Sequence, residues 1–561
     1  MNDELPDEIP GPDITLPQPP DDRAPEAGDN NKSMWMLWSL VGLFVAFIVF
    51  VVFFVYPNQE GMISSTQLQI DALKNVSAAY AETLPIQEVG SGNQARSMFI
   101  AFVMLAHVLF ANLQLGGSWI ASISESFYLK TGLRRFDQVA KSLTLFNVIL
   151  FSFGATFAIA GVLFFIALFP VFTSDWFHVM WWPLFIEAIL FATEIVFLYT
   201  YWFSWDKIDR RKHQVLGYGY ALAVFFQTLM INMVAGGMLT PGVTDISFIS
   251  NGLLTIPTAD AISMWFNPIL WRLQFHRLFA SISYIGFILA MLAVFHYLDR
   301  KGLRDRKYWD WVVTYGLSWG LLGLIIQPVF GFILMLQIQD ANEMAFNFIM
   351  HGPRAWEMLL MAGTLSFLFL TVILFFIERK ERILSKLEYK NLHTLFKWFF
   401  IFGLVSLFII IQPAWLYAPF VDDPTAWVNP LGVMDYKYVA LAALVIMGVV
   451  MLTIDAIISS DVKESDWGYL SKVSRGAAIF AGLLGIFIIE IMGFVRESGR
   501  SPWTVYNIIP VPPGTTQYPT PLELVNIFGI WIIISIIIVF IFWLTSKATA
   551  HHPEDAEEIN P

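Results

Sequence analysis

Twelve stretches of the chain are apolar almost without interruption, near 35–56, 97–128, 142–172, 182–205, 215–239, 268–298, 309–337, 354–377, 398–418, 438–457, 476–495 and 521–546. Each is long enough to cross about 30 Å of hydrocarbon at about 1.5 Å per residue. In lipid a spanning segment must satisfy its own backbone polar groups, so such runs are read as helices. The second, third and sixth are long and must tilt or protrude. The pattern predicts an all-α fold, a polytopic transmembrane helical bundle of twelve spans.

The polar connections give an orientation. Alternate connections 129–142, 206–214, 299–308, 378–397 and 458–475 carry 4, 4, 5, 6 and 3 Lys and Arg residues. With Arg23, Lys32 and Lys547, that side holds 25 of the 33 basic residues. The positive-inside rule makes it the cytoplasmic side, and both termini lie there. Residues 1–33 hold nine acids against Arg23 and Lys32, a disordered acidic cytoplasmic tail. The last span leads into a short tail, 547–561.

Composition narrows the chemistry. The chain is 57% hydrophobic and 14% charged, the balance of an integral membrane protein. It has no cysteine. Disulfides, Cys-ligated iron–sulfur clusters and covalently attached c-type heme are therefore excluded. A redox metal must be held by His, Met, Glu or Asp. Much of the net charge of −12 sits in the tails, and no basic patch of the nucleic-acid-binding kind is present.

Polar residues inside apolar spans carry membrane function. His107 lies in the second span and His276 near the outer start of the sixth. Glu187 and Glu194, two helical turns apart in the fourth, share a face. Met358 and Met361 begin the eighth span. The eleventh contains Glu490 and ends with Arg496, Glu497 and Arg500, where Gly499 is expected to reverse the chain and Pro502 to stop the helix. All lie in the outer half of the membrane, with Arg272, Arg277 and Arg354 beside them. Singly, each has a plain reading. A membrane His is often a helix–helix hydrogen-bonding residue, and most of the 21 methionines must be packing. As a set, two His, a Met and a Glu at one depth beside arginines fit several hemes, with His or Met as axial ligands and Arg for propionates.

The stretch Ile489–Trp503, I-E-I-M-G-F-V-R-E-S-G-R-S-P-W, resembles the helix end of subunit I of cytochrome bd-type terminal oxidases. Glu497 matches that family's Glu beside its high-spin heme pair; Gly499, Arg500, Pro502 and Trp503 match its G-R-x-P-W motif. The segment around His107 is similar to the family's first core helix, whose His ligates the high-spin heme b. The segment P-L-F-I-E-A-I-L-F-A-T-E…W-D-K at 183–207 resembles the helix with two glutamates on the proposed proton route, with Glu187 one residue closer to Glu194 than the family spacing. N-P-I-L-W-R-L-Q-F-H resembles the helix whose His is an axial ligand of the low-spin heme b, and His276 takes that place. Its partner Met matches Met361 best, before Gly363, with Met358 and Met447 as alternatives. The family's Arg two positions earlier is Leu359 here, and Arg354 is the candidate substitute.

The resemblance implies a bd-like terminal oxidase subunit I of a prokaryotic cytoplasmic membrane. It implies two b-type hemes and a third heme, d or b. Electrons from quinol or a cytochrome donor would reduce O2 to water, with Glu187 and Glu194 delivering protons. It also implies a subunit II-like membrane partner and room for further small subunits. The core would be 97–378 and 476–546, with 34–96 an extra helix and outer segment and 398–457 an inserted pair of helices. The family's long outer quinol-binding loop is missing, since only about 338–353 separates the seventh and eighth spans. That departure favours a second reading, a heme electron-transfer subunit of a respiratory complex without oxygen chemistry. A third, an ion or solute transporter, would use the Glu pair but give no reason for His107, His276 and the arginines.

Overall fold

The computed structural model describes residues 31–57, 93–243, 256–298, 306–352, 354–384, 390–412, 434–461, 467–500, 503–510 and 521–549. Most of the two tails and of the outer segment 57–96 lie outside the described residues. Among the described residues, twelve helices are long and apolar enough to cross a membrane, one for each stretch predicted.

Helix α1 (Asn31–Phe50) continues through one π-helical turn, Val51–Val55. The chain then forms α2 (Asn93–Thr131), α3 (Arg134–Leu168), α4 (Pro170–Val179), α5 (Trp181–Phe203) and α6 (Arg210–Leu239). Next come α7 (Thr258–Trp265), α8 (Leu270–Leu298), α9 (Arg306–Ala341), α10 (Glu343–Met350), α11 (Ala355–Leu384) and α12 (Lys390–Ile411). Last are α13 (Met434–Asp461), α14 (Lys472–Gly499), the strands β1 (Trp503–Val505) and β2 (Ile509–Pro510), and α15 (Pro521–Thr549).

Two expected boundaries move. The third span begins at Arg134 and stops at Leu168, short of residue 172. Phe169 leaves helical geometry (φ −135°, ψ 56°), and Pro170 opens α4 at a position where a missing N–H costs nothing. The eleventh span does end at Gly499, but without a left-handed reversal; the positive-φ glycines among the described residues are Gly132, Gly242 and Gly468. Gly499 is small for a packing reason. A Cβ there would lie 2.4 Å from Ile349 Cδ1.

The centre of the bundle is α8, α11 and α14, buried over most of their lengths; α3 and α5 are peripheral. In lipid, helices associate by close packing rather than by escaping water. The α8–α9 pair shows how: a Cβ on Gly286 would sit 2.3 Å from Gly320 N, so the two backbones touch. Helix α1 lies against α11 and α14. Its Phe44 packs edge-on against Phe367, Phe480 and Phe487. Its Phe47 fills the space that a side chain at Gly363 would need, with Cζ 2.3 Å from that Cβ position.

Candidate heme and proton sites

His276 faces α9, where Gln327 Nε2 lies 3.2 Å from its Nε2. The His276 Nδ1 is buried and has no hydrogen-bond partner. One ring nitrogen is thus tethered and the other is available. The next residue, Arg277, donates from Nε to Asn112 Oδ1 (2.8 Å) and from Nη1 to Asn232 Oδ1 (3.1 Å). Two neutral amides orient the guanidinium without cancelling its charge. A part-buried cation held only by neutral amides is costly, and an anionic group such as a heme propionate fits beside it.

His107 is poised in a different way. Its Nδ1 lies 3.0 Å from the Gly154 carbonyl oxygen. A carbonyl only accepts, so Nδ1 carries the proton and Nε2 keeps its lone pair, the usual preparation of a metal-ligating imidazole. Helices α2 and α14 approach closely, since Leu105 Cδ2 fills the space 2.4 Å from a Cβ position at Gly493. The donor sets at both histidines fit heme.

Glu497 sits between two arginines. Arg496 donates to Oε1 from Nε (2.9 Å) and from Nη2. Arg500 donates to Oε2 from Nε (3.1 Å) and from Nη2. Those four N–H groups fill the carboxylate's roughly four lone-pair sites, so direct ligation of iron would require a guanidinium to let go. The β1–β2 hairpin holds Arg500 in place: Arg500 Nη1 donates to Thr504 O, and Tyr506 N donates to Met238 O at 2.9 Å.

Arg354, the candidate propionate partner, is already committed. It is ion-paired with Glu357 (3.0 Å) and with Glu523, and Glu357 accepts from Ser498. Two carboxylates thus already balance its charge.

The methionine candidates differ in surroundings. Met358 is buried and Met361 partly buried in α11, whose Leu365 and Leu368 line a cavity shared with Gln327. Met447 is buried in α13, which packs chiefly on α12 and α9. Of these two helices, α11 is the one that lines the cavity beside Gln327.

Glu187 and Glu194 share α5 but have separate partners. Gln227 Nε2 of α6 donates to Glu187 (2.9 Å), and Gln114 Nε2 of α2 donates to the buried Glu194 (3.3 Å). Below Gln114, the same helix carries Ser118, Ser122 and Glu125, all buried. Glu125 meets His213 Nδ1 at 2.6 Å and accepts from Tyr201 Oη at 2.9 Å. His213 Nε2 donates to the Tyr201 carbonyl (2.9 Å). Beyond this group, Arg210 joins Asp137 (3.0 Å) and Asp206 at the helix ends. Polar groups therefore run along α2 from the basic end of the bundle to Glu194. Sequence reading missed Glu125 and His213 because both sit at span ends, where charges are usually solvated. Their signal was a Ser-rich face, Ser118, Ser122 and Glu125, at helical spacing.

The family described as "Cytochrome bd terminal oxidase subunit I" matches residues 95–351 and 428–553. The unmatched residues 352–427 contain α11, α12 and Met361; Met447 lies in the matched part. The chain is 27% identical over 261 residues to a protein of Bacillus subtilis (strain 168) named "Putative cytochrome bd menaquinol oxidase subunit I". That stretch is 45% of this chain and spans about half, 55%, of the relative's length. Among solved structures, the bd oxidase from Geobacillus thermodenitrificans is similar at a TM-score of 0.46 and 16% identity, covering 81% of this chain and 98% of that one.

Proposed function

The chain belongs to the cytochrome bd terminal oxidase subunit I family, and from that premise we propose that it is the heme-carrying subunit of a membrane oxidoreductase passing electrons from quinol or another donor to O2, with proton uptake. The observation that carries this reading is the preparation of two histidines in one bundle. His107 has one nitrogen engaged by a carbonyl, His276 has one tethered to Gln327, and each keeps the other for a ligand.

Bound heme supplies one-electron redox chemistry and, where its iron keeps an open position, O2 binding. The chain's own residues hold and tune it. His276 with Met361 would hold the low-spin heme b. His107 would hold the high-spin heme b, with Glu497 beside it and a third heme, d or b, adjacent. Arg277, Arg496 and Arg500 would balance propionate charge. Glu194, at the inner end of the polar run, would hold and pass on protons to Glu187. A subunit II-like partner completes the complex, in a prokaryotic cytoplasmic membrane with both termini inside.

A second reading is favoured by one observation. The outer connection between α9 and α11 is only the short helix α10, Glu343–Met350, with no room for a long donor-binding loop. On that reading the chain carries electrons between other components and does not reduce O2.

The test is the optical spectrum of the purified complex, reduced and then reduced with CO, beside heme extraction. High-spin heme that binds CO is expected and supports the oxidase. Low-spin, CO-silent heme b alone selects the electron carrier, and a protein without heme refutes both.

A further inference from the structure

Four polar atoms where α2, α3, α5 and α6 meet are buried without a hydrogen-bond partner: Gln114 Oε1, Tyr220 Oη and both amide atoms of Asn147. They lie close together. The Asn147 amide rests against α2, with Oδ1 2.7 Å and Nδ2 2.9 Å from a Cβ position at Gly117. Tyr220 clusters with Leu115 of α2 and with Leu198 of α5, which is one turn from Glu194. Its hydroxyl is within reach of the Asn147 and Gln114 amides and bonds neither. Polar side chains that only glued these helices together would bond one another. Asn147 and Tyr220 are both 0% exposed, and polar groups left dry there are costly. A buried water takes two to four polar partners, and this spot offers four unused ones.

Toward the basic end, three helices keep a polar or small residue at each turn. On α2, Glu125, Ser122, Ser118 and Gln114 follow at intervals of three and four, which is one face of a helix. On α6, His213, Gly217 and Tyr220 do the same, and α3 offers Thr144 and Asn147. The levels match. Glu125 meets His213 at the inner end. One turn up, a Cβ on Gly217 would lie 3.1 Å from Ser122 Oγ and 2.9 Å from Tyr201 Cζ, so serine and phenol border the same glycine. Tyr201 Oη, which donates to Glu125, has Thr144 beside it. Ser118 and Ser122 donate to carbonyls of their own helix at 2.8 Å, which leaves their oxygens as acceptors. From Glu125 to Gln114 the rise is about 16 Å, at about 1.5 Å per residue.

We propose that this seam between α2, α3 and α6 is a water-carrying proton path, in which Asn147 and Tyr220 hold the water that refills Glu194. The path deepens the oxidase reading given above and rests on it. A proton from cytoplasmic water enters at the Glu125–His213 pair, which already shares one across 2.6 Å. It passes by exchange along hydroxyls and water, and reaches Glu194 after Glu194 has released its own proton. Nothing is oxidised or reduced on the way. Glu194 holds its proton between turnovers, so no buried carboxylate has to persist. The Asn147 amide positions water and does not itself carry the proton.

The test uses the whole complex. A cryo-EM map fine enough to resolve water should show ordered density bonded to Asn147, Tyr220 and Gln114. Proton uptake from the cytoplasmic side is then followed with a pH dye as the reduced complex meets O2. Asn147→Leu should slow that uptake by roughly 10²-fold or more, with heme spectra and midpoint potentials unchanged. Tyr220→Phe should slow it by a smaller factor, and Asn147→Asp should restore it. If Asn147→Leu fails to assemble, Tyr220→Phe and the wild-type density decide. Missing density, or wild-type uptake in the assembled variants, overturns the inference and leaves oxygen reduction standing. A wild-type complex that shows the density but reduces no oxygen removes the oxidase reading, and with it the delivery of protons to Glu194.

Discussion

At the scale of single residues, the two histidines make separable predictions. His276→Ala should abolish the low-spin heme b signal while the chain still inserts; unchanged low-spin absorbance would remove His276 from the site. Met361→Leu should do the same and Met447→Leu should not, because α11 rather than α13 lines the space beside Gln327. The reverse result would make the family-matched helix the ligand-bearing one. Glu497→Ala should perturb the high-spin signals by freeing Arg496 and Arg500; normal oxygen reduction in that variant would refute its role. Glu194→Gln should slow oxygen reduction by roughly 10²–10⁴-fold, the usual worth of a proton-transferring group, with heme spectra intact. A rate within twofold of wild type would exclude Glu194 from proton delivery. Sequence pattern exposed His107, His276, Glu194 and Glu497 because each is a polar residue where lipid tolerates few. It could not assign their partners. Gln114, Gln327 and Gly154 come from helices distant in sequence, and nothing at those positions marks them.

At the scale of elements, all twelve spans were legible because a membrane demands length and hydrophobicity together, and few other sequences supply both. The helix-to-helix arrangement was not. The touching backbones of α8 and α9 depend on glycines that look unremarkable in an apolar run. Gly286→Leu should force these helices apart, since no flexible side chain can yield to the new Cβ. The cost should be at least about 1–3 kcal/mol, seen as a lower midpoint in thermal unfolding and as heme loss, because His276 and Gln327 sit on the two separated helices. A variant with wild-type melting would show that the pair is less tightly packed than described. The stop after Gly499 shows the opposite limit: the sequence signal placed the end correctly for the wrong reason. Local turn chemistry predicted a reversal, and a tertiary contact with Ile349 decided the residue.

At the scale of the whole molecule, the orientation can be tested cleanly because the chain has no cysteine. A single thiol at Lys130→Cys should react only from the cytoplasmic side, and one at Ala259→Cys only from the outside; the opposite pattern would invert the topology and place the Glu125–His213 group on the wrong side for proton uptake. The seating of Phe44 and Phe47 carries a different consequence, one of timing. Helix α1 leaves the ribosome long before its docking groove, which is built by α11 and α14, and α14 begins at Lys472. Translation at about 5–20 residues per second puts roughly 20–90 s between the two events. For that interval α1 must wait in the bilayer with its aromatic face against lipid. Its docking is therefore among the last steps of biogenesis, and a nascent chain stalled before α14 would remain an open bundle.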